Sequence, residues 1–71
     1  MEKNTYKKLI LKLKELRKER NISAEKVAII SELSPNGYRY IERGEREPKV
    51  STLESIANGF GIKVKDLFDF N

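Results

Sequence analysis

Asn36, Arg39, Tyr40 and Arg43 fall close together in the stretch SPNGYRYIERGEREP, residues 34–48. Their side chains suit base edges and phosphates. Asn pairs with adenine through two hydrogen bonds, Arg does the same with guanine, and a tyrosine bonds a phosphate or packs against a thymine methyl. Catalysis fits the chain less well. Its 71 residues include no cysteine and no histidine, which removes thiolate and imidazole nucleophiles, most zinc chemistry and disulfides. The carboxylates and lysines that remain form no nucleophile–base or metal-ligand set. Neither an enzyme nor a metal or other cofactor is expected.

Those four residues need a helix to hold them on one side. Ser34 is a helix-capping residue and Pro35 suits the first helical position, where its missing N–H costs nothing. The helix should end near Arg43, with Gly44 as its stop. At about 100° per residue, Tyr38, Ile41 and Glu42 share one arc, while Asn36, Arg39, Tyr40 and Arg43 share another. The first arc is expected to face the core and the second to face outward. A solvated surface is the plainer reading of such a face. Gly37 lies between the arcs and costs about 1 kcal/mol as a helix former. It is expected to let the backbone approach the preceding helix or DNA.

The rest of the chain reads as helices that support this one. In residues 6–20, YKKLILKLKELRKER, one arc gathers Tyr6, Leu9, Ile10, Leu13, Leu16 and Arg17. Asn4 or Thr5 can cap the start, with residues 1–4 otherwise flexible. Asn21 can close the helix in the left-handed conformation. Ser23 caps a second helix running to about Ser31, and only Glu32 and Leu33 separate it from Ser34. Two short helices so joined have the layout of a helix-turn-helix, here over residues 24–43. Ala28 permits a steep, close crossing, and Val27, Leu33, Tyr38 and Ile41 fill the wedge. A fourth helix, about Val50 to Asn58, is buried through Leu53, Ile56 and Ala57, with Gly59 and Gly61 bracketing its end. Val64 to Phe68 form a last turn, with Phe60, Ile62 and Leu67 in the core. No strand, repeat or linker is apparent. A single all-α domain of five helices over residues 1–71 is expected.

Charge points the same way. Lys and Arg number 15 against 11 Asp and Glu, a net charge of +4, and the basic excess is concentrated in the first 20 residues. Such an excess suits a polyanionic partner. No apolar run approaches the roughly 18 residues of a membrane span, and the opening MEKNTYKKLI lacks the pattern of a signal peptide. A soluble, cytoplasmic protein is expected. Arg17 and Glu42 both fall on inward arcs, where a charge is costly unless paired. Arg17 could alternatively run its stem along the helix edge and keep its head in water.

From about Leu13 to Phe68, over three quarters of the chain, the sequence resembles the lambda-repressor/Cro-type (XRE-like) helix-turn-helix family. The resemblance is carried by LKELRKERNIS leading into VA, then by LS, YIERGEREP and LESIANGFGIKVKDLF. The compact length is similar to that of restriction–modification controller proteins and of small phage-type repressors. It implies a sequence-specific transcriptional regulator that binds a twofold-symmetric operator in double-stranded DNA as a homodimer. Ser34, Pro35, Asn36, Arg39, Tyr40 and Arg43 would make the DNA contacts. It also implies a salt bridge between Arg17 and Glu42 that ties the first helix to the third. A C-terminal dimer interface would draw on Val64, Phe68 and Phe70; the alternative is that Phe68 and Phe70 fold back on their own core.

Some positions depart from the family pattern. Ala24 stands where a DNA-contacting Gln is common, so that contact is lost or moved. Ser31 replaces an apolar group, and Ile29 and Ile30 occupy usually polar positions. Glu32 replaces the usual turn glycine, which implies either a left-handed residue costing about 1 kcal/mol or a reshaped turn. Two other functions compete. One is an antitoxin-like module binding a protein partner; the other is a membrane-surface binder using the basic amphipathic first helix.

Overall fold

The computed structural model describes residues 1–70, which form five helices: α1 (Lys3–Glu19), α2 (Ala24–Ile30), α3 (Pro35–Glu42), α4 (Val50–Phe60) and α5 (Val64–Leu67). There is no strand among the described residues. This is the all-α, five-helix architecture that the apolar spacing predicts.

Helix α1 starts ahead of the expected Tyr6, so Asn4 and Thr5 lie inside it, and it takes in part of the segment expected to be flexible. The residue before it, Glu2, is extended and gives no side-chain cap. Its carbonyl accepts from the Tyr6 N–H at 2.9 Å. Its first residues, Lys3 and Asn4, are polar and exposed, so apolar periodicity could not mark them. Tyr6 is further anchored by its hydroxyl, which lies in hydrogen-bonding reach of the Ile41 and Arg46 carbonyls. At the other end, Asn21 is left-handed, with φ of 54°.

The α2–α3 unit is capped at both helix starts. Ser23 Oγ accepts from the Lys26 N–H at 3.1 Å and Ser34 Oγ from the Gly37 N–H at 3.0 Å. A Ser cap of this kind contributes about 1 kcal/mol. Between the helices Glu32 adopts φ of 57°, so the turn keeps its left-handed corner without glycine. The Leu33 N–H then returns to the Ala28 carbonyl at 2.8 Å.

One core unites the helices. Leu9, Leu13 and Leu16 of α1 meet Val27, Ala28, Tyr38, Ile41, Leu53, Ile56, Ala57, Phe60 and Leu67. Burying each of the large side chains contributes roughly 1.5–3 kcal/mol. Leu33 and Ile62 pack at its margin, half-buried.

One expectation about glycine is corrected, and so is one of the two offered for Gly37, its approach to the preceding helix. Helix α4 continues through Gly59 to Phe60 and stops at Gly61, which is left-handed at φ of 74°. Gly59 is there for space: a Cβ would meet Ser31 Oγ at 2.7 Å and the Ile30 carbonyl at 2.9 Å. The close helix approach is therefore between the end of α2 and α4. Gly37, by contrast, faces nothing of α2; an added Cβ would meet only the Ser34 cap hydroxyl, at 2.7 Å. The last turn, α5, ends at Leu67, one residue short of Phe68.

Candidate nucleic-acid interface

Helix α3 divides into two faces. Tyr38, Ile41 and Glu42 are buried, whereas Ser34, Pro35, Asn36, Arg39 and Arg43 are exposed and Tyr40 is half-buried. Asn36, Arg39, Tyr40 and Arg43 share one arc of α3, but the arginines are not bare cations.

Arg39 reaches across to α2, where its Nη2 lies 2.6 Å from Glu25 Oε1, with both side chains about half exposed. Arg39 donates to this carboxylate and, with the Glu25 backbone N–H, holds its pKa below the usual range. Arg43 Nε pairs with Glu45 at 2.9 Å. The Arg43 guanidinium also lies 5.1 Å from the Tyr40 ring centre, and that of Arg46 lies 5.2 Å away. Such cation–π contacts contribute about 0.5–1 kcal/mol at exposed sites. The loop after α3 is folded to allow this. Gly44 turns left-handed at φ of 77°, and the Glu45 and Arg46 N–H groups both donate to the Tyr40 carbonyl, at 2.8 and 3.2 Å.

Arg17 and Glu42 meet as a two-pronged ion pair. Nε donates to Oε2 at 2.7 Å and Nη2 to Oε1 at 3.0 Å. The Arg17 side chain is 21% exposed and that of Glu42 only 7%. The bond to Glu42 raises the Arg17 pKa still further above its normal range. Tyr38 is buried alongside, and its hydroxyl makes no well-aligned hydrogen bond. Burial, reinforced by the Glu42 carboxylate, pushes its pKa far above the tyrosine range. The pair joins α1 to α3 directly.

At the C-terminal end, Val64 and Phe68 pack against the core, partly buried. Phe70 is 37% exposed, stands edge-on to Phe68 with ring centres 6.0 Å apart, and lies beneath the Lys8 ammonium. With exposed Leu11 it lines an open groove completed by Lys8, Lys12, Glu15 and Asp69. Among the described residues no helix is long and apolar enough to cross a membrane.

Sequence reasoning missed Glu25, Glu45 and Arg46. Arg46 lies between the expected end of the third helix near Arg43 and the expected start of the fourth at Val50, and its place against Tyr40 depends on the left-handed turn at Gly44. The sequence signals the α2–α3 crossing through Ala28, but pairing of Glu25 with Arg39 depends on the detailed geometry of that crossing, which has no local signal.

Two capped short helices around a left-handed corner, with a polar face turned outward, define a helix-turn-helix protein. The helix-turn-helix family matches residues 13–67, and the chain belongs to that family. It is 37% identical over 62 residues to the HTH-type transcriptional regulator DdrOP3 of Deinococcus deserti, covering 87% of this chain and 48% of that protein. It is 34% identical to the cryptic phage CTXphi transcriptional repressor RstR of Vibrio cholerae, covering 79% of this chain and 50% of the relative. Control protein C.BamHI of Bacillus amyloliquefaciens is 38% identical over 70% of this chain and 62% of its own. The chain thus spans about half the length of the first two relatives. Among solved structures, the clp gene regulator ClgR from C. glutamicum superposes with a TM-score of 0.76 at 25% identity, covering 89% of this chain and 82% of that one.

Proposed function

We propose that this protein binds double-stranded DNA with α3 in the major groove and regulates transcription as a homodimer on a twofold-symmetric operator. The observation that carries the reading is the division of α3, which buries Tyr38, Ile41 and Glu42 and turns Asn36, Arg39, Tyr40 and Arg43 outward. The names of the relatives, a transcriptional regulator, a phage repressor and a control protein, support it. Asn36, near the helix start, and Arg39, one turn on, read base edges. Ser34 and Pro35 bring the helix start to the backbone, and Arg43 grips a phosphate from the far end. Arg46, stacked on the same Tyr40 ring, adds a second cation beside it. The Arg17–Glu42 pair holds the helix at its angle.

A single α3 covers only a few base pairs, and two of them about one helical turn apart would read a full site. The C-terminal surface of Val64, Phe68 and Phe70, extended by Leu11, joins the two copies. No catalytic activity and no cofactor belong to this function, which is exercised in the cytoplasm.

Selection of bound sites from a random duplex pool tests the proposal. Enriched half-sites arranged as an inverted repeat, with centres about 10 base pairs apart, are the expected result. No enrichment, together with binding to anionic vesicles at the same salt, would overturn it in favour of a lipid-surface role for α1.

A further inference from the structure

Glu25 links the two helices of the helix-turn-helix. Its carboxylate stands on α2, yet it touches the outward face of α3 through Arg39. The two ion pairs that cross to α3 and its neighbours differ in form. Glu42 takes the Arg17 guanidinium with both oxygens and uses its Nε and Nη2 together. Glu25 meets Arg39 through one oxygen and one nitrogen, Nη2. A guanidinium has five N–H donors in a rigid fork, so most of the Arg39 fork is left to a further acceptor. A long, exposed arginine is thereby restrained in direction without being consumed.

We infer that Glu25 is a positioning residue for base readout: it aims the Arg39 fork at one base edge and so sets discrimination at one base pair of each half-site. This rests on reading α3 as the groove helix. The acceptor on the DNA would be a pair of adjacent oxygen and nitrogen acceptors such as the major-groove edge of guanine. An unrestrained arginine would find such an edge at some entropic cost and would also settle on neighbouring phosphates. Restraint therefore favours the matched base over the mismatched one. The carboxylate additionally repels phosphates, which weakens binding to every sequence alike. Discrimination, rather than affinity, is the informative quantity.

The test measures affinities of the parent protein, Arg39→Ala, Glu25→Ala, Glu25→Gln and the Glu25→Ala/Arg39→Ala double variant. The duplexes are the selected site and its single-base-pair variants. Glu25→Ala should lower discrimination about three- to fivefold, the scale of an exposed ion pair, and only at the base pair that Arg39→Ala relaxes. Glu25→Gln, whose amide oxygen still accepts from Arg39, should keep most of that discrimination. In the Arg39→Ala background, Glu25→Ala should change discrimination no further. Uniformly tighter binding by Glu25→Ala, with discrimination intact, would overturn the inference and leave Glu25 as a mere competitor for Arg39. If Arg39→Ala itself shows no base-dependent loss, the reading role of Arg39 fails, and this inference with it. Glu25 is exposed, so circular dichroism should show all variants folded.

Discussion

Removing Arg17 should cost more than removing Glu42, and removing both should cost least. Arg17→Met leaves Glu42 without a cation at a site only 7% exposed, where water cannot replace the two bonds it loses. Breaking one side of a buried pair costs roughly 3–5 kcal/mol, and this variant belongs at the upper end of that range. Glu42→Leu strands a guanidinium that is 21% exposed and still has the Ile22 carbonyl 3.4 Å from its Nη1. That head can extend along the α1 edge to water, so the lower end, about 3 kcal/mol, applies. The double variant leaves an apolar pair in an apolar setting and should return to within about 1 kcal/mol of the parent. A chain of this length has a total stability on the order of 4–10 kcal/mol, so Arg17→Met stands near the edge of folding. Urea melts followed by circular dichroism, run cold and with sucrose added to keep every variant folded at the start, give the four stabilities. With a slope of about 1 kcal/mol per molar for a domain of this size, Glu42→Leu should lower the midpoint by roughly 3 M, and adding Arg17→Met should restore most of it. Losses that simply add would show that the pair does not couple α1 to α3.

Four further outcomes follow from the backbone and the C-terminal surface. Gly59→Ala should destabilise by about 1–3 kcal/mol despite the gain in helix propensity, because the new Cβ would meet the Ile30 carbonyl at 2.9 Å. Gly37→Ala should leave the melting temperature nearly unchanged, since perturbing the Ser34 cap and improving helix propensity offset at about 1 kcal/mol each; equal losses at the two glycines would contradict this. Glu32→Gly should stabilise by about 1 kcal/mol, because Glu32 adopts φ of 57° and glycine relieves a left-handed corner; a lower melting temperature would refute that. Phe68→Glu should retain helix content yet sediment as a monomer where the parent sediments as a dimer, and a parent that is monomeric with and without DNA would end the dimer proposal.

Local chemistry made much of the fold legible. Ser23, and Ser34 with Pro35, mark helix starts because a cap is satisfied within three residues of itself, and Asn21 marks a stop for a similar reason. The buried faces of α1, α3 and α4 follow from spacing alone. What escaped depends on packing between elements. Gly59 looks like a terminator in sequence, yet it lies inside α4 because Ile30 and Ser31 cross there. The start of α1 carries no apolar signal, since Lys3 and Asn4 are polar and exposed. The outward face of α3 was legible residue by residue, but the partners of its arginines were not. Glu25 reaches Arg39 only because of the α2–α3 crossing, and Arg46 reaches Tyr40 only because the chain reverses at Gly44.

The most direct test of the groove-facing role of α3 is an NMR titration of isotope-labelled protein with its selected duplex, following backbone amides and the Asn and Arg side chains. Resonance changes should concentrate on Ser34 to Arg46 and on Glu25, with the outer face of α1 around Lys8, Leu11 and Lys12 altered only where two copies meet. Changes centred on that α1 face, with Asn36, Arg39 and Arg43 unmoved, would contradict the account.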